Sequence, residues 1–206
     1  MRESLRPAHY PNVTFYRRRL PHFYNHDQPV FLTWCLHGSL PPNRTFPRAV
    51  LTSGEAFAAL DRLLDETRTG PFYLKQPVIA ALVVAAIHHA CDALKHYTLH
   101  AYAVMPNHVH MLVSPQVPLP TLTKTLKTFT ARRANAWLGR TGNPFSQEES
   151  YDRLVRDQRE FDRIHTYIEN NPVRPGLVRE PNEYRWSSAE CDQDVAGGPD
   201  VRPAIL

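Results

Sequence analysis

The stretch VMPNHVHMLV, Val104 to Val113, constrains the fold more than any other part of this sequence. The pair Pro106-Asn107 is a typical turn signal, and an alternating, largely apolar segment follows it. Apolar and β-branched residues at this density favour a strand, and the preceding YTLHAYAVM favours a partner strand. Two strands joined by a two-residue turn pair antiparallel. The sequence therefore predicts a β-hairpin here.

Two histidines of the second predicted strand, His108 and His110, share one face, because strand side chains alternate with a period of two. With a two-residue turn, the residue opposite His108 is Met105. Ala103 is then opposite His110, and His100 falls on the other face. Paired imidazoles are common metal ligands, although many H-x-H pairs are ordinary buried or surface histidines. The rest of the sequence has to decide between these interpretations.

Strand-like and helix-like segments alternate along the chain. The sequence predicts first a strand in PVFLTWCLHG and then two helices, which begin at Ser53 and Pro77. The hairpin follows, and after it comes a basic helix from Pro118 that ends at Gly139 or soon after. The last two predicted elements are a strand in ESYDRLVRD and a helix in QREFDRIHTYIEN. This order predicts an α+β fold, a ferredoxin-like β-α-β-β-α-β sandwich. Its antiparallel sheet has helices on one face, and a C-terminal helix bears Tyr167.

The basic helix is predicted to be amphipathic. Five of its apolar residues are expected to face the core: Leu119, Leu122, Leu126, Phe129 and Trp137.

The charges of the chain are unevenly distributed. The formal net charge is +4, and residues 93–147 contain neither Asp nor Glu. The same interval contains Lys95, Lys124, Lys127, Arg132, Arg133 and Arg140. This asymmetry favours a polyanionic partner over a merely solvated basic face. It also means that no carboxylate close in sequence completes a metal site at the two histidines, so a third ligand must come from elsewhere.

Cysteine usage and hydropathy exclude several classes of protein. Three widely spaced cysteines, Cys35, Cys91 and Cys191, form no disulfide framework and indicate a reducing cytosol. The first residues lack the apolar segment of a signal peptide, and the run VIAALVVAAI is too short to span a bilayer. We expect one domain over residues 29–189, with a basic lead-in at 1–28 and an irregular tail at 190–206.

The segment HTYIENNPVRPGLV offers a second group of candidate residues. Tyr167 and Asn171 are four residues apart and therefore share one helix face. Pro172 disfavours helical geometry at the residue before it, so Asn171 is expected at the helix end. Brought against the two histidines, the amide oxygen can help to hold Mg²⁺ or Mn²⁺ while the phenol attacks phosphorus. The alternatives are an ordinary aromatic residue of an amphipathic helix and an ordinary helix end.

Several blocks occur together and in order: AYAVMPNHVHMLVSP, LKTFTARRAN, ESYDRLVRD, YIENNPVRPGLV and YRWSSA. From about Pro29 to Ala189 they resemble the single-tyrosine HUH transposases, most of all the REP-associated tyrosine transposases of bacteria. The resemblance implies that His108 and His110 are the metal-binding pair and that Asn171 is the third ligand of Mg²⁺ or Mn²⁺. It also implies that Tyr167 is the nucleophile and forms a 5′-phosphotyrosine bond.

The implied substrate is single-stranded or hairpin DNA at repetitive extragenic palindromes. Candidate phosphate-binding residues are Lys124, Lys127, Arg132 and Arg133 of the basic helix and Arg17, Arg18 and Arg19 of the lead-in. A cytoplasmic, nucleoid-associated monomer or homodimer without membrane contact is expected.

Two other functions are considered. One is a domesticated, catalytically silent protein that binds hairpin DNA. The other is a Zn²⁺ hydrolase, which the absence of an H-E-x-x-H motif or a nearby carboxylate base disfavours.

Overall fold

The predicted hairpin lies in a four-stranded antiparallel sheet. The structure is a computed structural model and describes residues 13–17, 21–25, 28–40, 53–67 and 69–189. The strands are β1 (Val13–Arg17), β2 (Pro21–Asn25), β3 (Val30–Cys35), β4 (Tyr97–Val104), β5 (His108–Pro115) and β6 (Tyr151–Leu154). The helices are α1 (Ser53–Glu66), α2 (Pro77–Asp92), α3 (Leu119–Trp137) and α4 (Gln158–Asn170), with 3₁₀ turns at Tyr73–Lys75 and Pro181–Glu183.

The strand order of the main sheet is β4-β5-β3-β6, and all neighbouring strands are antiparallel. The chain passes from β3 through α1 and α2 to β4 and β5, and then through α3 to β6. This connectivity and strand order confirm the ferredoxin-like fold class predicted from the order of the segments.

The two faces of the sheet pack against different helices because strand side chains alternate. On one face, Leu32, Trp34 and Met111 form a core with apolar residues of α2 and α3. On the other face, Phe31, Ala101, Ala103 and Leu112 pack against Ile164 and Ile168 of α4. The C-terminal helix therefore covers the face that α2 and α3 leave open, which is also the face of the two histidines.

The pairing of the hairpin confirms the predicted register near the turn. Ala103 lies opposite His110, and the backbone N–H of Met105 donates to the carbonyl of His108 at 2.9 Å. Farther along β4, a β-bulge between Leu99 and Ala101 interrupts the alternation.

The prediction that His100 lies on the face opposite His108 and His110 is wrong, because of this bulge. Its Nε2 lies 2.8 Å from the hydroxyl of Ser114, and its ring lies 5.0 Å from that of Phe161 on α4. His100 is therefore on the same face as His108 and His110, because one extra residue in the strand moves its side chain across the sheet.

The prediction for the buried stripe of α3 is only partly confirmed. Leu119, Leu122 and Leu126 are buried, but Phe129 is 45% exposed and Trp137 is 62% exposed. The buried stripe continues instead through the small side chains of Thr130 and Ala134. Thr130 can be buried because its hydroxyl donates to the carbonyl of Leu126 at 2.7 Å. Phe129 and Trp137 lie beside this stripe and face outward.

The predicted lead-in contains structure that the sequence analysis missed. Strands β1 and β2 form a separate antiparallel pair, with Val13 opposite Asn25 and Arg17 opposite Pro21. Arg17 ends β1, whereas Arg18, Arg19 and the predicted tail at 190–206 lie outside the described residues. Of the helices described, none combines the length and apolarity that a bilayer crossing requires.

The N-terminus of α4 provides a stability test. The side chain of Asp157 accepts a hydrogen bond from the backbone N–H of Glu160 at 2.7 Å, which caps the helix. We expect Asp157→Ala to lower the free energy of unfolding by about 1 kcal/mol, the usual cost of losing such a cap. Urea denaturation measures this change. Arg159→Ala, an exposed change in the first turn, should leave the free energy nearly unchanged; equal losses in both variants would contradict the capping role.

Candidate active site

The two predicted metal ligands converge on one point. His108 and His110 are 1% and 0% exposed, and their Nε2 atoms are 3.0 Å apart. The opposite nitrogen of each ring is held in place: His108 Nδ1 lies 2.7 Å from Asn107 Oδ1, and His110 Nδ1 lies 2.7 Å from Thr33 Oγ1. Such outer contacts fix the orientation of metal-binding imidazoles.

The contacts of Asn107 define the protonation of His108. The side-chain N–H of Asn107 donates to the carbonyl of Leu64 at 2.9 Å, so its oxygen faces the histidine and accepts from Nδ1–H. Burial and the neighbouring His110 lower the pKa of His108 to about 3. The ring is therefore neutral at neutral pH, with an unprotonated Nε2, which is the form that binds a metal.

A buried carboxylate that the sequence analysis did not identify completes the cluster. Asp61 of α1 is fully buried, and its Oδ1 lies 3.0 Å from His110 Nε2 and 3.6 Å from His108 Nε2. Burial acts to raise the pKa of Asp61, but the two histidines and a hydrogen bond from Tyr167 hold this pKa below its usual range. The carboxylate is therefore ionised.

These three residues fit a divalent cation. One ligand atom of each lies within 4.8 Å of the others. A buried carboxylate is costly unless positive charge compensates it, and a cation held by these three residues would supply that charge. Two imidazoles and one carboxylate form a donor set that transition metals, Mn²⁺ among them, accept.

The sequence contained one signal for Asp61. On a helix, Asp61 shares a stripe with Phe57 four residues before it and Leu64 three residues after it. A carboxylate within an apolar stripe is unusual, because charged residues are rarely buried without a partner. The partner histidines are distant in sequence, so only the tertiary structure connects them to Asp61.

The phenol of Tyr167 lies against this cluster. Its hydroxyl donates a hydrogen bond to Asp61 Oδ2, the carboxylate oxygen that does not face the histidines. The ring of Tyr167 lies 6.0 Å from that of His110 and 6.2 Å from that of Phe31. Burial, followed by the charge of Asp61, raises the pKa of Tyr167 above its ordinary value, so the resting group is a protonated phenol.

Asn171 reaches the same carboxylate from the C-terminal end of α4. As predicted, it lies at the helix end, but its backbone is still helical (φ −57°, ψ −40°), contrary to the effect expected of Pro172, and it is fully buried. Its side-chain nitrogen lies 3.4 Å from Asp61 Oδ2, whereas its Oδ1 accepts no hydrogen bond from the described residues. The structure thus brings Asn171 beside Asp61, and its predicted role as the third metal ligand stays a prediction.

A second residue that the sequence analysis missed is Arg174. Its Nη1 lies 2.9 Å from the hydroxyl oxygen of Tyr167 and 2.9 Å from Asp61 Oδ2. The guanidinium carbon lies 5.4 Å from the centroid of the Tyr167 ring. Arg174 was visible in the sequence only as part of the segment NPVRPGLV.

The predicted phosphate-binding residues of α3 are separate from this cluster. Lys124, Arg132 and Arg133 are exposed. Lys127 instead donates to the carbonyls of Gln147, Glu148 and Glu149 at 2.8 to 3.3 Å, which fixes the loop before β6. DNA contacts by all four residues stay predictions.

Comparison with known proteins found a matching protein family. Residues 73–171 match the family model described as "Transposase IS200 like". These residues include His108, His110, Tyr167 and Asn171, whereas Asp61 lies before the matched range and Arg174 lies after it. The curated proteins contain no match to the chain.

Two solved structures are similar to the chain. The first, "Structure of the REP associates tyrosine transposase bound to a REP hairpin", has 16% identity and a TM-score of 0.52, and the match covers 84% of this chain and 80% of that one. It supports the shared fold. The second, a putative transposase from Deinococcus radiodurans R1, has 20% identity and a TM-score of 0.33, with 72% and 93% of the two chains covered.

The role of Asp61 can be tested by metal binding. We expect Asp61→Asn to weaken Mn²⁺ binding by at least about tenfold, since even the loss of an outer contact to a metal ligand has this effect. Calorimetric titration with MnCl₂ measures the affinity. The matched control is Asp65→Asn, one turn along α1, which should bind Mn²⁺ nearly as tightly as the unmodified protein. Equal affinity of a folded Asp61→Asn variant would contradict the assignment.

Proposed function

We propose that the chain belongs to the IS200-like transposase family, whose model matches residues 73–171, and that it cuts and rejoins single-stranded or hairpin DNA through a covalent bond to Tyr167. One observation carries the proposal. The phenol of Tyr167 donates a hydrogen bond to one oxygen of Asp61, and the other oxygen lies beside the Nε2 atoms of two histidines. A nucleophile and a cation site therefore share one carboxylate.

We propose Mg²⁺ or Mn²⁺ as the cation, held by His108, His110 and Asp61. When bound, such an ion polarises a phosphate oxygen and offsets charge that develops during attack. Asn171 is proposed as an additional ligand, because its buried Oδ1 accepts no hydrogen bond from the described residues and its amide already lies beside Asp61. The two imidazoles favour Mn²⁺ over Mg²⁺, which prefers oxygen ligands.

The proposed covalent step joins the phenolic oxygen of Tyr167 to a phosphorus of the DNA backbone and breaks the bond from that phosphorus to the 3′ oxygen. One DNA fragment stays attached as a 5′-phosphotyrosine, and the other ends in a 3′-OH. The phenolic proton leaves towards Asp61 Oδ2, which already accepts it in a hydrogen bond, and the released 3′ oxygen takes up one proton. Rejoining is the reverse step with the 3′-OH of another strand.

The exposed face of α3 is proposed to contact the DNA. It combines Lys124, Arg132 and Arg133 with the exposed rings of Phe129 and Trp137. The guanidinium carbon of Arg133 lies 5.9 Å from the centroid of the Phe129 ring. Basic side chains that bind phosphates, next to aromatic rings that stack on unpaired bases, are the usual elements of a single-strand binding surface. Further proposed DNA contacts are Lys127 of α3 and Arg17, Arg18 and Arg19 of the lead-in.

Repetitive extragenic palindromes are the proposed substrate class. The solved structure that shares the fold is described as bound to a REP hairpin, and the blocks of sequence from Pro29 to Ala189 resemble that same branch. The chemistry at Tyr167 is proposed for one chain and is the same in a monomer or a homodimer.

The nucleophile can be tested with a hairpin oligonucleotide labelled at its 3′ end, which retains the label in a 5′-phosphotyrosine adduct. With Mn²⁺ present, we expect Tyr167→Phe to abolish the labelled adduct on a denaturing gel and to leave hairpin binding intact. The matched control is Tyr151→Phe, since Tyr151 also makes an edge contact with Phe31. An adduct in Tyr167→Phe would contradict the assignment. Binding without an adduct in the unmodified protein would favour the catalytically silent alternative.

The DNA-binding face can be tested by salt dependence. If Arg132 binds one phosphate of a single strand, Arg132→Gln should reduce the slope of log affinity against log salt concentration by about 0.7. Fluorescence anisotropy of a labelled hairpin at several NaCl concentrations measures the slope. Arg159→Gln on α4 is the matched control and should keep the full slope; an unchanged slope for Arg132→Gln would exclude this contact.

A further inference from the structure

The turn after α4 folds Arg174 back onto the helix. Pro172 prevents α4 from continuing, and the N–H of Gly176 donates to the carbonyl of Val173 at 3.0 Å. Gly176 adopts a φ of +73°, a left-handed conformation that favours glycine. This turn brings Arg174 alongside Tyr167, although the two are seven residues apart in sequence.

One guanidinium nitrogen of Arg174 donates hydrogen bonds to two groups of the candidate site. Nη1 donates to the hydroxyl oxygen of Tyr167 and to Asp61 Oδ2, both at 2.9 Å. Nη2 lies 3.8 Å from a carboxylate oxygen of Asp65. The planar guanidinium offers several donors in a fixed geometry, which a lysine ammonium does not reproduce. The side chain is therefore held at three points.

These contacts determine where the phenolic oxygen points. A phenol hydroxyl has one donor and can accept hydrogen bonds through its lone pairs. The donor of Tyr167 is directed to Asp61, and Arg174 occupies one acceptor position. Removal of the guanidinium would leave the phenol with the carboxylate contact and fewer constraints on the direction of its C–O bond.

Arg174 also balances the negative charge of the cluster. Its guanidinium lies between Asp61 and Asp65, two carboxylates that would otherwise repel each other. The side chain of Arg174 is 40% exposed, so it lies on the side of the cluster that faces solvent.

From this geometry we propose that Arg174 is the positioning residue of the strand-transfer reaction, fixing the phenolic oxygen of Tyr167 beside Asp61 for attack on phosphorus. The inference rests on the proposed function of Tyr167. Arg174 acts through Tyr167 and Asp61, and its removal is expected to affect the covalent step rather than the binding of DNA.

The test compares Arg174→Ala and Arg174→Lys with Arg179→Ala, an exposed arginine five residues farther along the chain. The single-turnover rate of adduct formation is measured at saturating hairpin DNA with Mn²⁺, and the dissociation constant for the hairpin is measured separately. We expect Arg174→Ala to slow adduct formation by about 10- to 100-fold, the range typical of a misplaced reacting group. Arg174→Lys should recover little of this loss, and the dissociation constant should stay unchanged.

Chemical rescue separates positioning from a general structural effect. Ethylguanidinium added to Arg174→Ala should restore part of the adduct rate, and it should have no effect on Tyr167→Phe. A full rate in Arg174→Ala at saturating DNA would overturn the proposal. So would a loss confined to the dissociation constant, because that result would make Arg174 a DNA contact.

A second measurement, by ¹⁹F NMR, tests the position of the phenol without relying on adduct formation. With 3-fluorotyrosine at position 167, the ¹⁹F resonance reports the surroundings of the phenol in the full chain. Arg174→Ala should shift or broaden this resonance, and Arg179→Ala should leave it unchanged. An unshifted resonance would overturn the positioning role. If the unmodified protein formed no adduct but the resonance still shifted, the proposed function would fail while the contact between Arg174 and Tyr167 held.

Discussion

The candidate site depends on the contacts of one buried carboxylate, that of Asp61. Its Oδ1 faces the Nε2 atoms of His108 and His110, and its Oδ2 receives the hydroxyl of Tyr167 and the guanidinium of Arg174. An ionised carboxylate at zero exposure is unstable without compensating charge. Arg174 compensates the charge on one side, and a cation in the proposed site would compensate it on the other. Because both act on one carboxylate, the proposed cation site and the proposed nucleophile are coupled.

The sheet gives this carboxylate a rigid frame. Strand β5 carries both histidines, the adjacent strand β3 supplies Thr33, and the turn supplies Asn107. Asn107 also accepts the N–H of Leu36 through its carbonyl and donates to the carbonyl of Leu64 on α1. The turn residue that orients one histidine thus also ties down the helix that carries Asp61. The imidazoles and the carboxylate are therefore placed by the same backbone contacts.

Local patterns were sufficient to predict much of this arrangement. Alternation and a two-residue turn gave the hairpin and its register, because both act over a few residues. Proline after Asn171 predicted the helix end for the same reason. His100 was placed on the wrong face because a bulge has no clear signature in the sequence. Phe129 and Trp137 were placed in the core because a 3.6-residue repeat does not define which of two adjacent stripes is buried.

The parts of the site that the sequence did not reveal come from distant segments. Asp61 lies on a helix well before the histidines in sequence, and Arg174 reaches the site because of the turn that follows α4. Neither residue has neighbours in sequence that indicate its partners. Their pairing arises from tertiary packing, in which the β5 face, α1 and the end of α4 meet. A buried charge within an apolar helical stripe was the one local signal for Asp61.

Anomalous diffraction from crystals grown with manganese tests most directly whether Asp61 unites the two histidines in a cation site. We expect one manganese peak within bonding distance of His108 Nε2, His110 Nε2 and Asp61 Oδ1. No peak at saturating manganese, or a peak bonded to the histidines and Asn171 while Asp61 stays outside the coordination shell, would contradict it.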